Sequence, residues 1–366
     1  MCAIVFVVFS FYWLYFFQAD MMMMTQHVLS HGMTRYHPLL GTVLITLVLW
    51  AIQFIVYALV PLTMRSHALT YLPSMLLLGM LSAVVPVGAD SIEMGFSWYV
   101  PILILLIWWL LTRVGRLAQE VEYDKVISLF SQPMWINALI MSLLIILVAW
   151  MGNSNAVIHY RMKMEHALLD GDFNKALKVG KKSLESDADL TMLRMYALAR
   201  KGTMGEHLFE YPVTANSSQM LPTDSLSVLM MYPADSLYQF LGARPAKRME
   251  PMRYLQLLER RDSVLNPAVA DYQLCGYLID RQLDKFASAI GRYYTINDSL
   301  PRHYREALTL YTHLKTRPVV VYHQTVMDVD YNNLQELEKK YPLASERKGK
   351  VEEQYRGTYW YYYKYQ

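Results

Sequence analysis

His27 and His31 stand four residues apart in the polar stretch QADMMMMTQHVLSHGMTRYH, residues 18–37. On a helix that spacing puts both imidazoles on one face, where two nitrogens can share a metal ion. A third ligand would have to come from Asp20 or His37, and an interfacial helix with solvated histidines is the commoner meaning of such a pair. The two cysteines, Cys2 and Cys275, are too far apart to suggest a metal knuckle or a disulfide framework. Cys275 sits between Leu274 and Gly276 in an apolar helical pattern, which reads as a buried thiol rather than a nucleophile. No catalytic, cofactor-binding or established metal motif emerges, so no cofactor and no metal are expected.

The elements that would position these residues fall into two classes. Residues 1–151 hold only five Lys or Arg and six Asp or Glu. The remaining 29 basic and 25 acidic side chains lie in 152–366. That mild excess of positive charge is too small to suggest nucleic acid, and no nucleic-acid partner is expected. The front part contains five apolar runs, 3–17, 39–60, 69–89, 98–111 and 134–151. A bilayer core takes about 20 apolar residues as helix, so these runs predict about five transmembrane helices and membrane lipid as a partner. Aromatic residues such as Trp13, Trp98 and Trp109 extend the shorter runs toward the interface. The first run lacks a basic leader and a small-x-small cleavage site, and reads as a retained span. Gln53 is read as a helix–helix hydrogen bond. No ionisable group falls inside a run, which argues against a pump or a coupled transporter. Loops 61–68 and 112–133 carry Arg65, Arg113, Arg116 and Lys125, against Arg35 alone on the other side. The basic side is cytoplasmic by the positive-inside rule, which places the domain after residue 151 outside.

That domain, residues 152–366, predicts as stacked helices. In GDFNKALKVGKKSL, Gly171, Phe173, Ala176 and Leu184 occupy the places of a small turn residue, an aromatic, a close-packing alanine and an apolar contact. This stretch resembles a tetratricopeptide repeat. It departs from the pattern at Gly180 and Ala188. Further helical stripes follow at Leu190–Tyr196, Leu274–Leu278, Leu283–Ile290, Tyr304–Tyr311 and Leu334–Tyr341. Residues 210–250 read as loop, and Val319–Tyr322 is the one strand-like alternation. The aromatic end, TYWYYYKYQ, suits a membrane interface, packing under the last helices, or a partner. The fold class expected is all-α: polytopic membrane helices followed by an α-solenoid or tetratricopeptide-like extramembrane domain.

Three stretches, residues 18–41, YALARKGTMGEHLFEYP (196–212) and LPRHYREALTLY (300–311), resemble an uncharacterised family of integral inner-membrane proteins typical of Bacteroides-like bacteria. The resemblance implies several membrane helices, a helical extracytoplasmic region and no assigned activity. In that lineage, Asp-Ser followed by an apolar residue is an O-glycosylation signal, which would mark Ser91, Ser225, Ser236, Ser263 and Ser299. The same triplets also read as helix N-caps. Asp20 has an analogue in lipid-linked-donor glycosyltransferases, which carry an acid in the first outer loop and in some cases end in tetratricopeptide domains. Two functions are therefore expected. The first is an envelope scaffold that presents a periplasmic helical domain to a protein partner. The alternative is a membrane enzyme acting on a lipid-linked or glycan substrate through Asp20.

Overall fold

The computed structural model describes residues 1–60, 62, 64–88, 91–117, 131–222, 229–261 and 266–366. The chain divides into two compact units, Met1–Asn155 and Ala156–Gln366.

Unit 1 begins with α1 (Cys2–Tyr12), which runs through a π-helical turn (Trp13–Phe17) into α2 (Ala19–Leu29). The chain bends by 73° between them. Then come α3 (Pro38–Leu59), a 3-10 turn (His67–Tyr71), α4 (Leu72–Ser82), the strands β1 (Val84–Gly88) and β2 (Ser91–Met94), α5 (Tyr99–Leu117) and α6 (Gln132–Met151). Two helices, α3 and α6, are long and apolar enough to cross a membrane, or three if α1 and α2 form one bent span. The five expected spans are therefore not five full-length helices. The run 69–89 is the clearest departure. Its helix stops at Ser82, whose hydroxyl donates back to Leu78 O and Gly79 O. Pro86 cannot donate to a helix and disfavours helical backbone at Val85. The β-branched Val84 and Val85 before it pair antiparallel with Met94 and Glu93, and the register slips between Pro86 and Gly88.

The core of unit 1 is Phe6, Leu49, Met75, Leu78, Met141 and Val148. Polar side chains stitch it together. Gln53 donates to Thr70 (3.2 Å), which is the expected helix-to-helix bond. Asn137 does more: its carbonyl accepts from Ala68 N (2.7 Å) and its amide donates to Met64 O (2.6 Å). At the other end of α6, Asn153 N donates to Ser82 O and its side chain to Val84 O.

Unit 2 is built from α7 (Ala156–Leu169), α8 (Phe173–Lys178), α9 (Ala188–Lys201), α10 (Met204–His207), α11 (Ala234–Leu241), α12 (Pro251–Arg261), α13 (Pro267–Ile279), α14 (Leu283–Ile290), α15 (Arg302–Leu314), α16 (Thr325–Lys340), α17 (Ala344–Tyr355) and α18 (Tyr359–Tyr365). One helix-ending turn recurs three times. After α7, Gly171 (φ 71°) and Asp172 donate to Leu168 O and Ala167 O. After α9, Gly202 (φ 65°) and Thr203 donate to Ala199 O and Leu198 O. After α13, Arg281 (φ 57°) and Gln282 donate to Leu278 O and Tyr277 O. This is the Schellman arrangement, in which a left-handed residue returns two amides to the carbonyls at the helix end. Each turn sends the chain back along the helix it has just left.

The first hairpin keeps its expected turn but not its expected far contact: Leu184, read as an apolar contact in the second helix, lies outside any helix and is 61% exposed. Asp172 caps α8 by accepting from Lys175 N (2.8 Å), Ala176 is fully buried and Phe173 is half-buried. Yet α8 has only six residues, because Gly180 (φ 59°) closes it. A full second repeat helix is therefore lacking here. The described residues of 210–250 are also less loop-like than expected. They contain α11, and Leu221, Met230 and Met231 lie in the core. Val319–Tyr322 forms no strand. The aromatic end packs inward: α18 buries Tyr359, Trp360, Tyr361 and Tyr362.

Candidate functional site

Asp20 lies in the first turn of α2, just past the bend, and is 1% exposed. Nearby in sequence, Gln18 donates to Asn153 O (3.1 Å) and Trp13 to Ser82 Oγ (3.2 Å). Asp20 is thus a buried acid inside an apolar unit, although it belongs to the polar stretch between the first two apolar runs. His27 and His31 do not share a helix face. The helix ends at Leu29, and His31 adopts a left-handed backbone (φ 48°), with Gly32 N returning to His27 O. Among the described residues, no three His, Cys, Asp or Glu side chains are grouped closely enough to hold a metal ion.

The Asp-Ser serines differ in setting. Ser91 opens β2 and is exposed, as is Ser299, which bonds to Asn297 Oδ1. Ser236 is half-buried in the first turn of α11, whose N-cap is Pro233. Asp235 beside it pairs with Arg244 (2.6 Å) rather than capping the helix. Ser225 and Ser263 lie outside the described residues.

Unit 2 contains a polar cleft of about 350 Å³ that sequence reasoning missed. Gln256, Glu259 and Arg260 come from α12, Gln273 and Tyr277 from α13, Ala289 from α14, and Arg292 and Tyr293 from the turn after it. The floor is a fixed chain of hydrogen bonds. Tyr293 OH donates to Gln273 Oε1 (3.0 Å), and Gln273 Nε2 donates to Glu259 Oε2 (3.3 Å). The other Glu259 oxygen faces Arg292 Nη1 at 3.9 Å. Gln273 is 2% exposed, so both ends of its amide are committed and its orientation is set. Burial, reinforced by neighbouring Glu259, pushes the Tyr293 phenol up, so it stays a donor. Gln256 and Gln273 are 17 residues apart in sequence and on different helices, so no local spacing announces the site.

Other buried polar groups hold the fold. Glu165, fully buried on α7, accepts from the amides of Met230 (3.0 Å), Met231 (2.6 Å) and Tyr232 (3.0 Å). Its carboxyl is pushed up by burial, an effect that the three donors and Arg161 oppose. Asp271 accepts from Tyr294 (2.6 Å) and Tyr304 (2.8 Å), and burial likewise raises its pKa. Cys275, beside Tyr304 at 3.5 Å, is fully buried with its thiol pushed up, the environment of an inert thiol. Glu306 fastens α18: its carboxylate accepts from Tyr359 N (2.6 Å), His303 and Arg302, and its carbonyl accepts from Trp360 Nε1 (2.7 Å).

Residues 247–366 match a family of unknown function, DUF6057. The whole polar cleft and the Glu306 latch lie within that segment. No curated protein and no solved structure matches the chain significantly.

Proposed function

We propose that this chain is a multi-pass inner-membrane protein that presents unit 2 on the periplasmic side as a docking scaffold for a protein partner in the cell envelope. The observation that carries the membrane reading is the nakedness of its two longest helices. Only 22% of the apolar stretch of α3 and 28% of that of α6 is buried within the protein. Leu44, Phe54, Leu139, Ile146 and Trp150 point outward. Exposed apolar surface on that scale is stable only against lipid or another apolar partner. On this reading the bent pair α1–α2 and the shorter apolar helices α4 and α5 complete the membrane domain.

The orientation is supported by where charge falls along α6. Asn137 ties the start of α6 to Met64 and Ala68, flanking Arg65, and Arg113 and Arg116 also precede that start. No Lys or Arg appears between the start of α6 and Arg161 in unit 2. The basic end faces the cytoplasm, so unit 2 follows the opposite end. The docking role is supported by the helix hairpins that recur in unit 2; on this reading they stack, as tetratricopeptide repeats do, to present a binding face. Photo-crosslinking residues placed on exposed positions of unit 2, in the full chain in cells, should recover one reproducible protein partner. Crosslinks that never rise above those from a similarly placed control membrane protein would remove the scaffold reading.

The burial of Asp20 favours a second reading, a membrane enzyme for a lipid-linked or glycan substrate, since an acid inside an apolar unit is a functional candidate by default. Asp20→Asn then abolishes the wild-type phenotype at unchanged protein level. Full activity in the Asp20→Asn variant would remove it.

A further inference from the structure

We infer that the polar cleft between α12, α13 and the turn after α14 is a binding site for a compact anion carried on a hydroxyl-rich body, a phosphorylated or carboxylated sugar. Three features of the cleft lead there. Its volume, about 350 Å³, lies at the small end of the range of pockets that take discrete ligands, roughly 300–1,000 Å³.

Its charge is the second feature. Arg260 and Arg292 both stand on the rim, against the one carboxylate of Glu259. Arg292 lies 3.9 Å from that carboxylate, beyond good hydrogen-bond length, and its side chain is 67% exposed. Its guanidinium therefore keeps donors available for an incoming phosphate or carboxylate, the groups that the planar fork of arginine matches best.

The third feature is the floor. Glu259, Gln273 and Tyr293 are held in one hydrogen-bonded chain across three segments, so their remaining lone pairs point in set directions. A pre-set mixture of amide, carboxylate and phenol suits vicinal hydroxyls, which donate and accept together. Gln256 adds an exposed amide to the lining, and Tyr277 and Tyr293 add two aromatic rings beside which a sugar ring could lie. A purely apolar ligand would strip water from the Glu259 carboxylate and the two guanidinium groups without replacing it, which is costly. This site goes beyond the scaffold reading and stands or falls separately from it.

The test is calorimetric titration of the full chain in detergent with four probes: glucose 6-phosphate, glucuronate, inorganic phosphate and glucose. Glucose 6-phosphate or glucuronate should bind saturably, and whichever binds more tightly identifies the anion. Inorganic phosphate should bind more weakly than the sugar-borne anion. The double substitution Arg260→Gln/Arg292→Gln should weaken binding by at least about tenfold, the loss of one charge-assisted hydrogen bond. Both arginines are exposed, so the helical circular dichroism of that variant should equal the wild type. Tyr293→Phe, which cuts the floor chain, should weaken sugar-borne anions more than inorganic phosphate. No saturable binding of either sugar-borne anion, glucose binding as tightly as its phosphate, or unchanged affinity in the double variant would each overturn the assignment.

Discussion

Replacing Glu165 with alanine should loosen the segment 229–232 and destabilise unit 2 as a whole. One buried oxygen of Glu165 gathers three backbone amides at 2.6–3.0 Å, from residues in a stretch without regular secondary structure. Met230 and Met231 are 3% and 5% exposed, so water cannot replace the lost acceptor without opening the core. Each hydrogen bond to a charged group contributes about 1.5–3 kcal/mol, and the three are not additive because they share one oxygen. Removing one side of a buried charged network costs about 3–5 kcal/mol. For a unit of this size, residues 156–366, each kcal/mol moves the midpoint by about 2–4 °C, so melting should fall by about 10 °C. Hydrogen exchange read by mass spectrometry gives the local answer. The amides of residues 230–232 should exchange about 10²-fold faster in Glu165→Ala, the equivalent of about 3 kcal/mol. Unchanged protection at those amides, with a melting midpoint within about 2 °C of the wild type, would refute the reasoning.

The remaining predictions follow from the same structure. Burial holds the Glu165 and Asp271 carboxyls above their unfolded values near 4.5 and 3.8, so their contribution to stability is complete below those values and declines as pH rises through the folded pKa. Between about pH 4 and 8 the stability of Glu165→Gln relative to wild type should therefore rise with pH, and denaturant midpoints that move in parallel would contradict this. Glu306→Ala leaves Tyr359 N and His303 without their buried acceptor and should cost about 3–5 kcal/mol, read as early proteolytic release of the C-terminal peptide; wild-type resistance would show that aromatic packing alone holds α18. Gly349 sits inside α17 with open space where a side chain would go, so Gly349→Ala should stabilise by about 0.5–1 kcal/mol, and a fall in the melting midpoint would expose a contact at that face.

How far the sequence foretells this structure depends on whether a signal is local. The apolar runs at α3 and α6 are local and long, and both are helices of spanning length. The turn Gly171–Asp172–Phe173 is equally local, and its capping is as its residues predict. The run 69–89 misleads because apolar content says nothing of backbone preference, which Pro86 and its valine neighbours decide. The turn after α13 escapes notice because Arg281 takes the left-handed position that a glycine usually marks. Residues 210–250, rich in Pro and Ser, hide the buried Met230 and Met231, whose amides are satisfied by an acid 65 and 66 positions earlier. The cleft is hidden for the same reason. Gln273 and Tyr293 are ordinary polar residues until the hairpin α13–α14 brings them beside Glu259.

The measurement that tests the central claim most directly is the side of the membrane on which unit 2 lies. With Cys2 and Cys275 changed to serine, Ser345→Cys places the only thiol on the exposed surface of α17. A small membrane-impermeant maleimide is then applied to cells with a permeabilised outer membrane, before and after lysis of the inner membrane. A membrane-anchored, periplasmic unit 2 predicts full labelling before lysis. Labelling that appears only after lysis would put unit 2 in the cytoplasm and contradict the account.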